Sequence, residues 1–424
     1  MATGPDIGGF LARRRELNLA FVDQGLVSAA NFIVGVLVAR SLGLDDYGVY
    51  TLVWMGVLFL NGQHHSFVVA PMMSFAPKMA PADRPAYYGA VVAGHLLVSA
   101  GGLLLLGAGF LIADIVYPHW EGLTYAPSVC AAAFAYQSQD ALRRHFFVRE
   151  TPGDALLVDV AGYGSQVALL LLFFALAEPR TVSAIWAVAG GMGIGALVGA
   201  LRMDVTLPAR REVLDELARH WRFAKWLIGS EIMRWTSENF FVIVSGATLG
   251  PFAAGVMNAA KTIMGVTHVL FLGLSNVAPA GAAKALHEGG ARALTAYLAS
   301  VTAYGGALTL IFAGVAALIP SYLMGLVFGA EYAAYGFALQ WFAAIYLMTF
   351  LHIPLSAGLR ALERTGPLFW ARGVATVITL LVALPLIDLY GLHGALLGSF
   401  LVNVAQQATL FVAFRQALRL PVSG

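Results

Sequence analysis

Long apolar segments constrain the fold of this chain more than any other feature of its sequence. A helix needs roughly 20 predominantly apolar residues to cross the hydrocarbon core of a bilayer. Twelve segments reach this length, at about 17–40, 47–75, 88–113, 122–145, 155–177, 182–202, 226–248, 253–280, 293–319, 335–358, 367–387 and 391–414. Charged residues make up only 11% of the 424 residues, against about 25% in soluble domains. We therefore predict an all-α integral membrane protein with about twelve transmembrane helices.

The basic residues indicate how these segments alternate across the membrane. If the N-terminus is cytoplasmic, 21 of the 25 Lys and Arg residues fall in cytoplasmic connections or at cytoplasmic helix ends. The outer connections hold only Arg40 and Arg180, and only Arg234 and Lys261 lie within spans. Lys and Arg concentrate on the cytoplasmic side of membrane proteins, and one missing span would destroy this alternation. The sequence thus predicts a multi-pass protein with both termini cytoplasmic.

The second half of the chain repeats the first. Two dipeptides return 207 residues later: Leu42-Gly43 as Leu249-Gly250, and Gly48-Val49 as Gly255-Val256. Each half contains six predicted spans, so both halves start on the same side and form parallel repeats. Transporters built in this way bind substrate between the two halves. We predict an N-terminal six-helix bundle at 1–202, a linker at 203–225, a C-terminal six-helix bundle at 226–424 and a central cleft between the bundles.

The linker has the pattern of an amphipathic helix. Its apolar residues Val213, Leu214, Leu217 and Trp221 share one helical face, opposite Arg210, Arg211, Arg219 and Arg222. Basic amphipathic helices bind at the interface of anionic membranes. We expect an interfacial helix on the inner leaflet, and a solvated linker is the alternative.

Span seven carries three ionisable residues, Glu231, Arg234 and Glu238. Spacings of three and four residues put them on one helical face. A charged side chain at the bilayer centre costs at least ~2.5 kcal/mol, so this face must meet protein or water. We interpret it as the lining of the cleft, with Arg234 as its dominant cation, although a self-paired structural cluster gives the same pattern. The first span has polar residues at matching positions, Asp23, Gln24 and Asn31, which favours the cleft.

Other polar residues within the spans are weaker candidates. Lys261, in span eight, either faces Glu238 across the cleft or extends outward to the interface. His64 and His65 are adjacent in span two, and adjacent helix positions point about 100° apart, so the pair cannot easily chelate one metal. We expect at least one of them to be a hydrogen-bonding cavity residue. Local hydrogen bonds or packing are expected for the remaining lone residues, His95, Asp159, His268 and His352.

The sequence gives no reason to predict an enzyme, a metal site or a cofactor. It contains neither a P-loop nor an HExxH pattern. The glycine-rich stretch GGMGIGALVG at 190–199 lies within a span and lacks the strand–turn–helix context of a nucleotide-binding loop. Small residues four apart instead allow close helix packing, which we expect at Gly191, Gly195 and Gly199. The single cysteine, Cys130, lies in an apolar stretch and is expected to be a packed residue.

Several glycine-turn patterns resemble one family of membrane proteins. They are ANFIVGVLVARSLGLDDYGVYTL in the first half, FVIVSGATLGPFAAGVMNAAK at the repeat, and LMGLVFGAEYAAYG and LYGLHGALLGSFLVN further on. With the twelve spans, they resemble the multidrug/oligosaccharidyl-lipid/polysaccharide (MOP) flippase superfamily, which includes MATE transporters, and specifically its Wzx-like polysaccharide flippases. These patterns describe the fold better than the substrate.

The resemblance implies a flippase of undecaprenyl-pyrophosphate-linked oligosaccharides in the bacterial inner membrane. Such a protein works by alternating access in O-antigen, exopolysaccharide or capsule synthesis. Its expected partners are the lipid-linked oligosaccharide, the bilayer, and possible glycosyltransferases and a polysaccharide polymerase, with no nucleic acid. A MATE-like exporter of drugs or organic cations is the first alternative. A membrane-embedded glycosyltransferase or polysaccharide ligase is the second, which the short outer connections disfavour.

One feature departs from the pattern of a pyrophosphate flippase, for which a cationic cavity is expected. The charges of Asp23, Glu231, Arg234, Glu238 and Lys261 sum to −1. One explanation is that the phosphate is bound at the inner mouth by Lys78, Arg143 and Arg144, since Arg binds phosphate through paired hydrogen bonds. The positive-inside distribution alone also accounts for these three residues. The other explanation is a coupling H⁺ or Na⁺ held by a carboxylate.

Overall fold

The computed structural model describes residues 7–116, 122–206 and 208–419, and this part of the chain is helical without any β-strand. The α-helices are α1 Ile7–Leu42, α2 Leu44–His64, α3 Ala70–Phe75, α4 Arg84–Val116, α5 Gly122–Val148, α6 Pro152–Leu176, α7 Thr181–Ala200, α8 Arg210–Leu249, α9 Pro251–Met264, α10 His268–Leu318, α11 Pro320–Phe328, α12 Gly336–Phe350, α13 His352–Ala361 and α14 Gly366–Ala417. The all-α prediction is confirmed.

Each predicted span falls on helical residues, although α1 begins 10 residues before span one and α8 begins 16 residues before span seven. The helix α14 contains two spans, and α10 contains the end of span eight, which begins in α9, and all of span nine. Gly290 (φ 65°) and Gly391 (φ 57°) interrupt the helical backbone of α10 and α14. By length and composition, 7 helical stretches of the described chain can cross a membrane, and two of these, Pro251–Leu318 and Gly366–Ala417, contain two predicted spans each. The three other predicted spans lie in α2, α5 and α8. The first six and last five residues, at the predicted cytoplasmic ends, lie outside the described residues.

Single glycines connect the repeat-related helices. Gly43 (φ 78°) is the one residue between α1 and α2, and Gly250 (φ 110°) is the one residue between α8 and α9. A positive φ is strained for residues with a Cβ atom but not for glycine. The same glycine turn therefore occurs at the two positions that the sequence repeat predicts.

The chain forms two compact units whose limits fall inside helices. The N-terminal unit consists of Met1–Leu42 and Val53–Ile232, and the C-terminal unit of Gly43–Leu52 and Met233–Gly424. The first part of α2 thus belongs with the C-terminal unit, and the linker belongs with the N-terminal one. In the following description each unit is taken by itself.

The N-terminal unit is held together partly by close contact between α6 and α7. A Cβ atom on Gly191 would lie 2.5 Å from the Cα of Gln166, and one on Gly195 would lie 2.9 Å from the Cα of Gly162. A Cβ atom on Gly199 would lie 3.1 Å from the side chains of Leu142 and Val158. The glycine-rich stretch therefore acts in helix packing, as predicted.

The linker helix is continuous with span seven in α8 and packs on the N-terminal unit. Leu217 lies against Gly94, whose Cβ would be 2.9 Å from the leucine side chain. The helix does not bury the whole predicted apolar face, since Leu214 and Trp221 remain more than half exposed. The buried positions are His220 and Ala224.

His220 is buried because it satisfies two polar groups of the N-terminal unit. Its Nε2 lies 2.9 Å from the Tyr87 hydroxyl, and its Nδ1 lies 3.1 Å from the carbonyl oxygen of Phe67. Phe67 lies in a π-helical turn, residues 65–69, between α2 and α3. A π-turn changes the regular i→i−4 hydrogen bonding of a helix, and here a histidine bonds to a carbonyl of that turn.

The core of the C-terminal unit lies between α10, α13 and α14. Its fully buried residues include Leu294, Phe350, Ala357 and Leu410. Gly305 allows the ring of Phe350 to approach α10, since a Cβ there would lie 2.8 Å from that ring.

Candidate functional site

A buried ionic cluster joins three helices of the N-terminal unit. Asp23 comes from α1, Arg143 from α5 and Asp159 from α6. Arg143 Nε donates to Asp23 Oδ2 at 3.1 Å, Nη2 donates to the same oxygen, and Nε lies 2.6 Å from Asp159 Oδ2. Both carboxylates are completely buried, and Arg143 is 8% exposed. One guanidinium is thus shared by two carboxylates.

Gln139 completes this cluster. It lies one turn before Arg143 on α5, and its amide donates to Asp159 Oδ1. The second oxygen of Asp23, Oδ1, has no hydrogen-bond partner among the described residues. Two carboxylates and one arginine leave a net charge of −1 in a buried place, which is costly. The cluster has the chemistry to hold one proton or one small monovalent cation.

This cluster contains three residues for which the sequence pattern predicts different roles. Asp23 was expected in the lining of the cleft, Asp159 in local packing, and Arg143 at the inner mouth as a phosphate ligand. The structure instead pairs Arg143 with both acids. Asp159 could have been identified as a candidate from sequence, since an acidic residue within a span is commonly functional.

The other predicted inner-mouth and span-one residues lie outside the cluster. Arg144 is paired with Asp140, one turn away, at 3.3 Å. Lys78 follows α3 and is exposed. On α1, Gln24 is half-buried and Asn31 is exposed. None of these four positions adds a charge to the Asp23–Arg143–Asp159 cluster.

A second polar group of the N-terminal unit contains two histidines. The fully buried His64 is hydrogen-bonded to His95, with 2.8 Å between Nε2 and Nδ1. His95 Nε2 lies 3.0 Å from the Ser138 hydroxyl. His65 begins the π-turn and is half-buried. His64 is therefore a hydrogen-bonding residue, and His95 has the local bond expected for it.

The predicted ionic face of span seven is divided between the two units. In the C-terminal unit, Arg234 Nη1 donates to Glu238 Oε2 at 2.6 Å, and both side chains are more than one-third exposed. Glu231 belongs to the N-terminal unit, where its carboxylate lies against α2. A Cβ atom on Gly62 would be 2.4 Å from Glu231 Oε1.

Lys261 extends the ionic face of the C-terminal unit. It lies on α9, within electrostatic range of Glu238 and Arg234. Glu238 also acts on His268 and Tyr346. Arg234 and Lys261 both interact with the carboxylate of Glu238, and we call these three residues the Arg234 group. The group carries one net positive charge.

No set of three or more His, Cys, Asp or Glu side chains suited to a metal ion occurs among residues 7–116, 122–206 and 208–419. The Asp23–Arg143–Asp159 cluster and the Arg234 group differ from each other in net charge and in burial. The N-terminal cluster is buried and net negative, and the Arg234 group is partly exposed and net positive.

Comparisons with known proteins agree on the fold. No protein-family model and no curated protein sequence matches this chain. A multidrug resistance MATE transporter of the MOP superfamily, in its inward-facing conformation, matches with a TM-score of 0.69 at 18% identity, over 92% of this chain and 94% of its own. The eukaryotic MATE transporter AtDTX14 matches with a TM-score of 0.64 at 14% identity, over 96% of this chain and 98% of its own.

A third solved structure bears on the polarity of such proteins. A MOP superfamily transporter from Pyrococcus furiosus matches with a TM-score of 0.62 at 16% identity, over 96% of this chain and 95% of its own. It is described as having a binding pocket of reverse polarity that suggests a different function.

This chain therefore has the fold of MATE transporters and is a multi-pass membrane protein. The matching structures named here are described as transporters. At these identities the likeness concerns the fold and not the substrate.

Proposed function

We propose that this protein flips a lipid-linked oligosaccharide, carried on undecaprenyl pyrophosphate, across the bacterial inner membrane by alternating access. The observation that carries the proposal is the juxtaposition of two cations, Arg234 and Lys261, beside Glu238 in the C-terminal unit. The transported glycan would serve O-antigen, exopolysaccharide or capsule synthesis. Glycosyltransferases would supply the substrate and a polysaccharide polymerase would consume it.

The Arg234 group suits an anionic headgroup. A guanidinium is permanently charged and can form two parallel hydrogen bonds with a phosphate. Lys261 adds a compact second cation on a neighbouring helix. The sum of −1 over the charged residues of the spans suggested otherwise, but it counted Asp23, which is paired with Arg143 in the other unit. Without Asp23 and Glu231, the ionisable span residues of the C-terminal unit favour an anion.

The N-terminal cluster suits a coupling ion. Transport against a gradient needs a site whose charge changes between the two conformations of the cycle. A proton or Na⁺ on Asp23 or Asp159 would neutralise the buried charge of −1, and its release would restore it. We therefore propose coupling to H⁺ or Na⁺ at this cluster, with no other cofactor.

Export of drugs or organic cations is the second candidate. Two observations favour it: the net negative charge of the N-terminal cluster, and the multidrug transporters among the structural matches. The cluster is completely buried by its own helices, however, and its charge is shared with Arg143. An organic cation would have to displace that arginine, so we place this function second.

The test uses the full-length protein in sealed liposomes. A fluorescent undecaprenyl-pyrophosphate oligosaccharide is incorporated, and the fraction protected from an impermeant quencher is followed over time. We expect faster loss of protection with the wild-type protein than with empty liposomes. No acceleration under any imposed H⁺ or Na⁺ gradient, together with uptake of a cationic dye, would establish the exporter instead.

The matched control separates the headgroup from the lipid tail. The same assay is run with undecaprenyl phosphate lacking the glycan and with a fluorescent phospholipid. Specific flipping should leave both controls at the rate of empty liposomes, whereas a general scramblase would move all three lipids.

A further inference from the structure

A cavity of about 300 Å³ lies inside the N-terminal unit, apart from the two ionic groups. It is formed by the end of the π-turn, by α4 and α5, and by the end of α7. Most of its lining is apolar, including Val68, Met72, Leu142 and Leu197. Leu197 is 60% exposed, so this side of the cavity opens toward the lipid-facing surface of a membrane protein.

Two polar side chains in this cavity lack a partner. The Tyr88 hydroxyl and both ring nitrogens of His145 form no hydrogen bond within the described part of the chain. Tyr88 is 4% exposed and His145 1% exposed, and their rings contact edge to face with 4.3 Å between centroids. A buried polar group without a partner destabilises the fold. Such groups usually indicate a bound molecule, and here both line the same space.

Two arginines stand one turn beyond these residues. Arg84 lies four positions before Tyr88 on α4, and Arg149 lies four positions after His145, at the end of α5. Residues four apart share a helical face. Both arginines are half-buried, and neither has an ion-pair partner in the described segments. The polar end of the cavity therefore continues into a pair of cations.

The C-terminal unit has a counterpart of this cavity with a different polar residue, Gln407, whose Oε1 has no hydrogen-bond partner among the described residues. Thr295, Leu298, Ala299 and Thr302 line a space of about 480 Å³ and stand 207 positions after Tyr88, Val91, Val92 and His95. The hydroxyls of Thr295 and Thr302 donate to carbonyls of their own helix, at 3.0 and 2.8 Å. A cavity therefore occurs at the corresponding place in both repeats, whereas Tyr88 and His145 line only the cavity of the N-terminal unit.

We infer that the N-terminal cavity binds a phospholipid of the surrounding membrane, with one acyl chain in the apolar part and the phosphate beside Tyr88, His145, Arg84 and Arg149. The cavity has room for about ten water molecules, each of which takes about 30 Å³ in the liquid. An apolar space of that size fits a length of hydrocarbon better than water. Tyr88 and one nitrogen of a neutral His145 each donate a hydrogen bond, and the arginines supply charge complementarity. This site is independent of the proposed transport function.

The test measures lipid retention by native mass spectrometry of the full-length, delipidated protein in a nonionic detergent. The probes are dioleoyl phosphatidylglycerol, dioleoylglycerol with the same chains but no phosphate, and inorganic phosphate. We expect one phosphatidylglycerol to bind in preference to dioleoylglycerol, without competition from millimolar inorganic phosphate. Equal retention of dioleoylglycerol would overturn the inference, as would complete displacement by inorganic phosphate, which would identify a simple anion site.

Two variants separate binding from folding. Tyr88→Phe removes only the unpartnered hydroxyl, so the thermal midpoint should stay the same or rise slightly, while phosphatidylglycerol binding weakens about tenfold. Ala200→Phe fills the open side of the cavity and should abolish binding. Tyr304→Phe, at a 77% exposed position of the C-terminal unit, is the matched control and should bind as the wild type does. Unchanged binding in both Tyr88→Phe and Ala200→Phe would refute the site.

Discussion

Gly48 and Gly255, which correspond in the two repeats, pack directly against each other. A Cβ atom on Gly255 would lie 3.1 Å from the Gly48 nitrogen and 2.8 Å from the Leu44 carbonyl oxygen. A Cβ atom on Gly48 would lie only 1.8 Å from the carbonyl oxygen of Pro251. The starts of α2 and α9 can approach this closely only because both positions lack a side chain.

Gly48→Ala should therefore destabilise the protein strongly. The new methyl group meets backbone atoms, which cannot rotate away, and overpacking of this kind costs typically about 1–3 kcal/mol. We expect a lower thermal midpoint of the detergent-solubilised protein and less protein in the membrane. Gly25→Ala is the control, because a Cβ there has no neighbour within 4 Å. Equal thermal midpoints for both variants would contradict the packing described here.

Arg143→Gln should destabilise the N-terminal unit, because it leaves two buried carboxylates without their shared cation. Removing one partner of a buried ion pair costs about 3–5 kcal/mol. At lower pH the variant should regain part of its stability, since a carboxylate that binds a proton no longer carries the unpaired charge. Thermal midpoints measured over a pH series check both statements.

The neighbouring Arg144→Gln is the matched control for that series. Arg144 is one-third exposed and forms an ion pair with Asp140, and such pairs contribute about 0–1 kcal/mol. If Arg144→Gln lowers the midpoint as much as Arg143→Gln does, the cluster has no special role in stability.

Arg234→Ala should abolish flipping while the protein still inserts in near-normal amounts. The loss removes the permanently charged member of the Arg234 group, whose side chain is 37% exposed, so folding depends on it little. Export is measured at matched expression, determined by immunoblot. Glu238→Gln should be milder, because it removes the competing carboxylate and keeps both cations. Normal export by Arg234→Ala would make the group structural.

Acid should weaken the contact between the linker and the N-terminal unit. Burial lowers the pKa of His220 to about 4, with Arg219 lowering it further and the Phe67 carbonyl opposing the shift. In the unfolded chain the pKa is about 6.5. Between these values the unfolded state binds more protons, so the stability contribution is complete above about pH 6.5 and is lost as the pH falls toward about 4. The loss amounts to about 3 kcal/mol.

This pH dependence is measured as the thermal midpoint from about pH 4.5 to about pH 7.5. His220→Gln should flatten the profile, because the glutamine does not titrate. His287→Gln, at an exposed position, should leave the profile of the wild type. A wild-type slope that persists in His220→Gln would assign the effect to other groups.

The predicted topology is open to a direct labelling experiment. In a Cys130-free background, cysteines at Asp45, Glu178 and Asp388 should react with an impermeant thiol reagent from the periplasm. Cysteines at Asp215 and Arg364 should react only after the membrane is permeabilised. Labelling of the second pair in intact cells would invalidate the alternation of twelve spans.

The helices could be predicted from the sequence because a bilayer permits few alternatives. Every backbone polar group must be bonded within its own segment, so the apolar length alone gives the span. Even the long helices α10 and α14 agree, since Gly290 and Gly391 interrupt them at predicted span boundaries. The packing of Gly191 and Gly195 could also be predicted from the sequence, because small residues four apart allow two helices to pack closely.

The ionic cluster could not be predicted in the same way, because it depends on which helices become neighbours. Asp23, Arg143 and Asp159 are separated by long stretches of sequence. Arg143 stands near a helix end, where the positive-inside rule already explains an arginine. Nothing in the local sequence indicates that its side chain turns inward to two acids. The His64–His95 hydrogen bond and the burial of His220 could not be predicted either, because both depend on which helices pack together.

The position of Gly48 also determines the order in which this protein can be assembled. The start of α2 belongs with the C-terminal unit, yet it leaves the ribosome about 200 residues before Gly255 does. At about 5–20 residues per second, that interval lasts on the order of ten to forty seconds. During this time α9 has not yet been synthesised, so the backbone at Gly48 cannot pack against it. We therefore expect a stage of biogenesis in which the surface of α2 around Gly48 is not yet covered by α9.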